Sequence, residues 1–172
     1  MDFTYPDNIR FECNRCGLCC GDTKKKTRHI RLLESEAEKI ASHTCQLISD
    51  FSDKINDNDP FVYEMKKSSE GKCVFLKNNR CSIYPFRPLI CICYPFELKF
   101  NEDEELYNFD FTVECPGVNQ GKSLDKTYFK RLVGLAQERL SGKFAVRVFG
   151  EHLLVPELCR SNGISKLAVP RF

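Results

Sequence analysis

Four cysteines fall within eight consecutive residues near the N-terminus, and this knot limits the possible folds more than any other feature. Cys13, Cys16, Cys19 and Cys20 follow one another at spacings of three, three and one in the segment CNRCGLCC. Adjacent side chains on an extended backbone point to opposite sides, so Cys19 and Cys20 are not expected to serve the same site. The knot therefore predicts a loop whose thiols serve two neighbouring sites.

The composition places this knot in a soluble, folded chain. Of 172 residues, 42% are hydrophobic and 29% are charged, and 26 basic residues nearly balance 24 acidic ones. The near-neutral charge gives no electrostatic argument for binding nucleic acid or a membrane surface. The apolar runs are far shorter than the ~20 residues that span a bilayer, and MDFTYPDNIR contains no secretory signal. We therefore expect a cytoplasmic protein without membrane insertion.

The eleven cysteines are predicted to bind metal rather than to form disulfides. Cytosolic thiols are kept reduced, and clustered cysteines in that compartment more often hold metal or carry out redox work. An odd number of cysteines also leaves one thiol over from any complete disulfide scheme. Cys45, inside a predicted helix, and Cys159, alone near the C-terminus, are interpreted as small buried apolar residues.

The periodicity along the chain predicts a small α+β fold with short strands, about two main helices and metal-bearing loops. Residues 35–51 carry apolar side chains at helical spacing, and Ser35 with Glu38 fits a capping box. A second helix is predicted over 124–141. One face of that helix is formed by Tyr128, Leu132, Leu135 and Arg139. Short strands are predicted at 61–65, 73–76, 96–100, 106–113 and 144–150.

We expect a single domain over residues 1–172. Within it, residues 9–117 form the cysteine-cluster, metal-binding region, and residues 118–172 form a C-terminal helix–strand extension.

One predicted four-ligand site begins at the N-terminal knot. The run Cys13-x2-Cys16-x2-Cys19 resembles the start of a bacterial ferredoxin motif, in which three such cysteines bind one cluster. In two-cluster ferredoxins a further cysteine followed by proline ligates the other cluster, and this chain has such a Cys-Pro pair at Cys115. In the division proposed here, Cys115 completes the first site.

The second predicted site starts from Cys20, the cysteine that faces away from the first. The remaining separated cysteines, Cys73, Cys81 and Cys91, would supply its other ligands. Cys93 would lie on the same side of an extended strand as Cys91, so either could be the ligand and Cys93 is a possible substitute.

The segments CNRCGLCC, GKCVFL and CSIYPFRPLICICYPF together resemble the zinc- or iron-chelating CxxCxxCC cysteine-cluster family, which also includes the cysteine-rich part of flagellin lysine methylase. The resemblance covers residues 9–117, and its cysteine order is much more specific than a single CxxC. It implies motif positions at Cys13, Cys16, Cys19, Cys20, Cys73, Cys81 and Cys91, with Cys115 as a late one. The family usually has Arg after the cysteine matched by Cys91, whereas this chain has Ile92, and Cys93 is extra to the pattern.

The spacing of the cysteines favours iron–sulfur clusters over zinc. Four thiolates suit either metal, but structural zinc usually uses two tight CxxC knuckles. Here one dense knot is followed by well-separated single cysteines, which suit a larger cluster better. We therefore expect two [4Fe–4S] clusters, with two Zn²⁺ ions as the alternative. Arg87, four residues before Cys91, is either a cation that offsets the negative charge of a cluster or donates to its sulfur, or an ordinary surface arginine with a solvated head group.

The expected activity is electron transfer or redox and oxygen sensing by an oxygen-sensitive protein. It would act by docking to a larger protein complex, such as an anaerobic redox or methyl-transfer complex, with the basic stretch 24–31 as a contact. That stretch lacks the interleaved aromatic residues of a nucleic-acid platform, so nucleic acid is not expected. The alternatives are a structural zinc module for protein interaction, and an enzyme or methyl-transfer accessory subunit. No catalytic residue is identified, because the three histidines are isolated and no phosphate-binding loop is present.

Overall fold

The computed structural model describes residues 3–56, 58, 60–101 and 106–141, and these residues form a mixed α+β fold, as the sequence predicts. The helices are α1 (Glu34–Thr44), α2 (Ile48–Phe51), α3 (Leu89–Cys93) and α4 (Lys126–Ser141). Two short 3₁₀ turns lie at Leu18–Cys20 and Tyr84–Phe86. None of the helices in these described segments is both long and apolar enough to cross a membrane.

Short strands form several small sheets. The strands are β1 (Phe3–Thr4), β2 (Arg10–Phe11), β3 (Arg31–Leu32), β4 (Ser52–Lys54), β5 (Tyr63–Met65), β6 (Leu76–Lys77), β7 (Arg80–Cys81), β8 (Phe96–Asn101), β9 (Leu106–Phe111) and β10 (Val118–Ser123). Their orders are β1-β9-β8, β10-β2, β3-β5-β4 and β6-β7. Only the β1–β9 pair among these described strands is parallel. Because the strands are short, much of the chain lies in the connections between them. The cysteines lie mainly in or beside these connections.

The first predicted helix is divided in two, and its start was predicted wrongly. Leu33 is extended at the N-cap, and its N–H donates to the Glu36 carboxylate at 3.1 Å. This backbone-to-carboxylate bond replaces the expected pairing of Ser35 with Glu38. Cys45 ends α1 because its backbone is left-handed, with φ of 54°. The prediction that Cys45 is a buried helical residue outside any disulfide is also wrong, since it is exposed at this helix end and is disulfide-bonded.

Two apolar clusters form the interior. The first, here the α1 core, packs α1 on the β3-β5-β4 sheet. It comprises Ile30, Leu32, Ala37, Ile40, Phe51, Met65, Cys73, Phe75 and Ile83. The second, here the α4 core, packs α4 on β8 and β9. It comprises Ile9, Phe96, Phe109, Cys115, Val118, Phe129, Leu132 and Val133. Each cluster contains one buried cysteine, Cys73 in the α1 core and Cys115 in the α4 core.

Four other predicted elements lie close to observed ones. The predicted strands at 61–65, 96–100 and 106–113 correspond to β5, β8 and β9, and the predicted helix at 124–141 corresponds to α4. The strand predicted at 73–76 is mostly wrong, because regular pairing begins only at Leu76, while Cys73 makes an isolated bridge to Lys67. In α4, Phe129 is completely buried although the predicted helix face did not include it. Cys159 and the strand predicted at 144–150 lie outside the described residues.

Candidate metal centre

Gly17 shapes the N-terminal knot by reversing the chain between Cys16 and the adjacent cysteine pair. Its φ of 74° lies in the left-handed region, where glycine carries no steric penalty. The Cys20 N–H then donates to the Gly17 carbonyl at 2.9 Å and closes the 3₁₀ turn. Because the pair lies on this turn, the expectation that Cys19 and Cys20 point apart is wrong: their Sγ atoms are 3.7 Å apart.

Five cysteines form what we call the inner thiol group. Its members are Cys19, Cys20, Cys73, Cys81 and Cys91. The backbone N–H of Cys73 donates to the carbonyl of Cys20 at 2.6 Å, which brings the segment at 71–73 against the knot. Burial raises the pKa of Cys91 strongly, and the negative charges of Cys73, Cys19 and Cys81 raise it further. The four cysteines of the second predicted site therefore lie together, with Cys19 beside them.

Three other cysteines form what we call the outer thiol group: Cys13, Cys16 and Cys115. The Glu12 N–H donates to the Gly117 carbonyl at 3.0 Å and joins the knot to the turn after Cys115. Burial raises the pKa of Cys115, and the charges of Cys16 and Cys13 add to this shift. Cys115 is buried, whereas Cys13 and Cys16 are exposed. The structure thus brings three cysteines of the first predicted site together, two of them exposed and one buried.

A cavity of about 440 Å³ joins the two thiol groups. Cysteines of both groups line it: Cys13, Cys16, Cys19, Cys91 and Cys115. Cys19 therefore neighbours both predicted sites rather than only the first. In the part of the chain that the structure describes, no three His, Cys, Asp or Glu side chains are arranged to hold a metal ion. The structure defines two thiol neighbourhoods, and the division of ligands between the sites stays a prediction.

A hydrogen bond joins the Cys19 and Cys20 sulfurs, and either thiol can be its donor. This bond lowers the pKa of Cys19 to about 6, and the charges of Arg87 and Arg28 lower it further. The same hydrogen bond, together with burial, raises the pKa of Cys20. Burial also raises the pKa of Cys73 to about 11. Because thiolates are the metal-binding form, metal binding at such thiols must release protons.

Cys93 packs against the α4 core, and no thiol is among the groups that modify its pKa. Helix α3 carries both Cys91 and Cys93, so the expectation that they share one side of a strand is wrong, since residues two apart face different sides of a helix. Burial raises the pKa of Cys93 to about 11, and the charged groups that modify this shift are Arg139 and Glu36, not thiols.

Replacement of Cys93 by alanine should leave the metal content unchanged, whereas the same replacement at Cys91 should lower it. Cys91 lies among three other thiols, and Cys93 does not. Metal per chain, determined for both variants after the same purification, tests this difference. Equal metal loss in the two variants would show that Cys93 acts as a ligand or supports one directly.

Two arginines lie close to the inner thiol group. Arg87 donates to the carbonyls of Tyr84 at 3.2 Å and Cys91 at 3.4 Å, and its charge lowers the pKa of Cys19. Sequence reasoning missed Arg28, which pairs with Glu114 at 2.9 Å and stacks over the Tyr94 ring at 5.1 Å. Arg28 belongs to the basic run that was interpreted as a possible docking surface. Nothing in that run distinguishes it from its exposed neighbours.

The basic stretch 24–31 is therefore divided in the structure. Lys24, Lys25 and Lys26 are exposed, while Arg28 packs beside Tyr94 and His29 contacts Glu64 at 2.8 Å. Only the lysines present a continuous basic surface.

Comparisons with known proteins agree with a metal centre built from these cysteines. Residues 12–116 match the model of the CxxCxxCC family, described as a "putative zinc- or iron-chelating domain". The chain is also 28% identical over 135 residues to an uncharacterized protein of Methanocaldococcus jannaschii, covering 73% of this chain and 68% of that protein. No solved structure matches the chain.

Proposed function

Since this chain belongs to the CxxCxxCC family and therefore carries a metal-chelating domain, we propose that its metal is iron, held as two neighbouring [4Fe–4S] clusters. The observation that carries this proposal is the gathering of eight cysteines into two adjoining neighbourhoods. Thiolate-only ligand sets suit iron–sulfur clusters, and ligands scattered along the chain suit a group with separated corners.

The ligands can be divided in the way that the sequence predicts. Cys13, Cys16 and Cys115 would hold the outer cluster, with Cys19 as the fourth ligand. The inner cluster would be held by Cys20, Cys73, Cys81 and Cys91. The Cys19–Cys20 pair lies where the two neighbourhoods meet and would make the clusters neighbours. Such clusters supply one-electron transfer at potentials that the surrounding protein adjusts.

The buried Nε–H of Arg28 supports the proposal of a negatively charged metal centre close to Cys19. It has no hydrogen-bond partner among the described residues, although buried donors are nearly always paired. Arg28 lies close enough to the thiols that its charge lowers the pKa of Cys19. A negatively charged cluster with sulfur acceptors would fit this environment, and the cation would raise the potential of the cluster.

The activity that follows is electron transfer or oxygen sensing in the cytoplasm. The inner thiols are sheltered by the α1 core, whereas Cys13 and Cys16 are exposed. Electrons would therefore enter or leave through the outer cluster, at a surface where a larger redox or methyl-transfer complex could dock. Oxidation of the exposed cluster would reshape the knot, because metal binding and local folding are coupled.

Zinc is the second candidate because of the distance between the Cys19 and Cys20 sulfurs. Two thiolates on one tetrahedral zinc, each about 2.3 Å from the metal, have sulfurs about 3.8 Å apart. The Cys19 and Cys20 sulfurs are 3.7 Å apart. A structural zinc site that begins at this pair would make the protein an interaction module without redox activity.

Metal analysis of protein purified without oxygen distinguishes the two. We expect about eight iron and eight acid-labile sulfide per chain, with a brown colour that bleaches in air. About two zinc per chain without sulfide or colour would contradict the cluster proposal and support the interaction module.

A further inference from the structure

The cavity beside the thiol groups extends to a part of its wall that carries no cysteine. Near the thiols, Tyr94 has a pKa raised to about 12 by burial, and the charges of Cys115 and Cys19 contribute to this shift. Elsewhere the wall is formed by the 3₁₀ turn at Tyr84–Phe86 and by α4, through Tyr84 and Tyr128. This second region is not needed to explain metal binding.

Two arginine–tyrosine stacks form this second region. The guanidinium carbon of Arg87 lies 3.8 Å from the Tyr84 ring centroid. That of Arg131 lies 5.5 Å from the Tyr128 ring centroid. Both stacks line the same cavity, so they lie on one continuous wall. Stacking on a ring leaves the edge of the Arg131 guanidinium group available for bidentate hydrogen bonds. Nε and Nη1 of Arg87 already donate to the Tyr84 and Cys91 carbonyls, so Arg87 has its Nη2 group left for a ligand.

The cavity is lined by three arginines, Arg15, Arg87 and Arg131, as well as by its five cysteines. No Asp or Glu lines it, so the wall away from the cysteines is basic. Within the described residues none of these three arginines forms a salt bridge. Leu132 and Leu135 add an apolar wall between the stacks and the α4 core. A concave surface with arginine edges and an apolar wall is complementary to an organic anion.

We propose that this cavity binds a small organic anion, with its carboxylate or phosphate group between Arg87 and Arg131 and its apolar body against Leu132 and Leu135. The volume of about 440 Å³ is that of the whole cavity, including the space beside the cysteines, so the part lined by the two stacks suits only a small anion. A concave site of this size favours a small molecule over the flat contact of a protein partner. The site requires no particular metal and goes beyond the proposed redox function.

Phenyl phosphate and benzoate provide probes for the two acid groups, and benzyl alcohol is a neutral control. Calorimetric titration of the metal-loaded chain without oxygen should show saturable binding of at least one anion, with benzyl alcohol at least about tenfold weaker because it lacks charge-assisted hydrogen bonds. Stronger binding of phenyl phosphate or of benzoate identifies which acid group the site prefers.

Arg131→Gln should weaken binding of the better anion by about tenfold or more, since it removes a charged donor. Lys130→Gln is the matched control, because Lys130 is an exposed cation next to Arg131 that does not line the cavity. Equal weakening by both variants would reveal only a general positive field and overturn the proposal. No saturable binding, or binding of a glutamate-rich peptide but of neither small anion, would also overturn it. Metal content is measured in every variant, so this result is separate from that of the cluster proposal.

Discussion

Alanine in place of Cys115 should remove about half of the bound metal, as expected when one of two equal sites is lost. Cys115 lies with Cys13 and Cys16 in the outer thiol group, and its turn is joined to the knot by the Glu12–Gly117 hydrogen bond. Removing the buried member of that group leaves only the exposed Cys13 and Cys16 beside Cys19. The inner thiol group keeps all its sulfurs, so its metal should remain.

The complementary variant is Cys81→Ala in the inner thiol group. The charge of Cys19 raises the pKa of Cys81, and the charge of Cys81 raises that of Cys20. This variant should retain the outer metal and lose the inner one. Metal per chain and the visible spectrum of each single variant and of the double variant provide the measurement. Complete loss of metal in either single variant would contradict two separable sites, and Cys45→Ala, at the exposed end of α1, should change neither.

The largest effect on folding should come from Glu36→Ala, with a loss of about 3–5 kcal/mol in the free energy of unfolding. Glu36 is only 6% exposed, and its carboxylate accepts the Leu33 N–H at 3.1 Å and the Leu89 N–H at 2.7 Å. It also pairs with Arg139 at 2.9 Å. Its loss would leave two buried N–H groups without an acceptor and one half-buried cation without its counter-charge.

Glu38→Ala is the matched control for this prediction, because Glu38 is an exposed carboxylate on the same helix. That change should stay within about 0.5 kcal/mol of the parent. Glu36→Gln keeps an acceptor oxygen and should lose less than Glu36→Ala. Urea unfolding of the four proteins without oxygen, followed by circular dichroism, gives the comparison. Equal stability of the Glu36 and Glu38 variants would show that the buried carboxylate is not needed to join α1, α3 and α4.

The elements predicted most accurately from the sequence are those with a long, regular pattern. Helix α4 and the hairpin of β8 and β9 have clear periodicity, and their bounds lie close to the predicted ones. Helix α3 was missed because five residues of apolar and cysteine side chains fit a strand equally well. Helix α3 begins after its N-cap at Pro88, and the Leu89 N–H donates to the Glu36 carboxylate. This hydrogen bond depends on tertiary structure, so the sequence could not predict it.

The gathering of the cysteines was partly predictable, but the details were not. The order of the motif suggested two neighbouring sites, and the structure places Cys20, Cys73, Cys81 and Cys91 together. The closeness of Cys19 to that group could not be read from spacing, because it depends on the left-handed Gly17. The role of Glu36 was hidden for a similar reason: its partners Leu89 and Arg139 are 53 and 103 residues away along the chain.

The division of the interior into the α1 core and the α4 core affects how the protein unfolds locally. Cys73 belongs to the α1 core and Cys115 to the α4 core, so each thiol group is anchored in a different apolar cluster, and we expect the two clusters to open as separate units. Thermal fluctuations that open one unit would expose one set of sulfurs while amides in the other stay protected from hydrogen exchange. Damage to the protein in air would then proceed in stages, with a half-loaded form that keeps its remaining core intact.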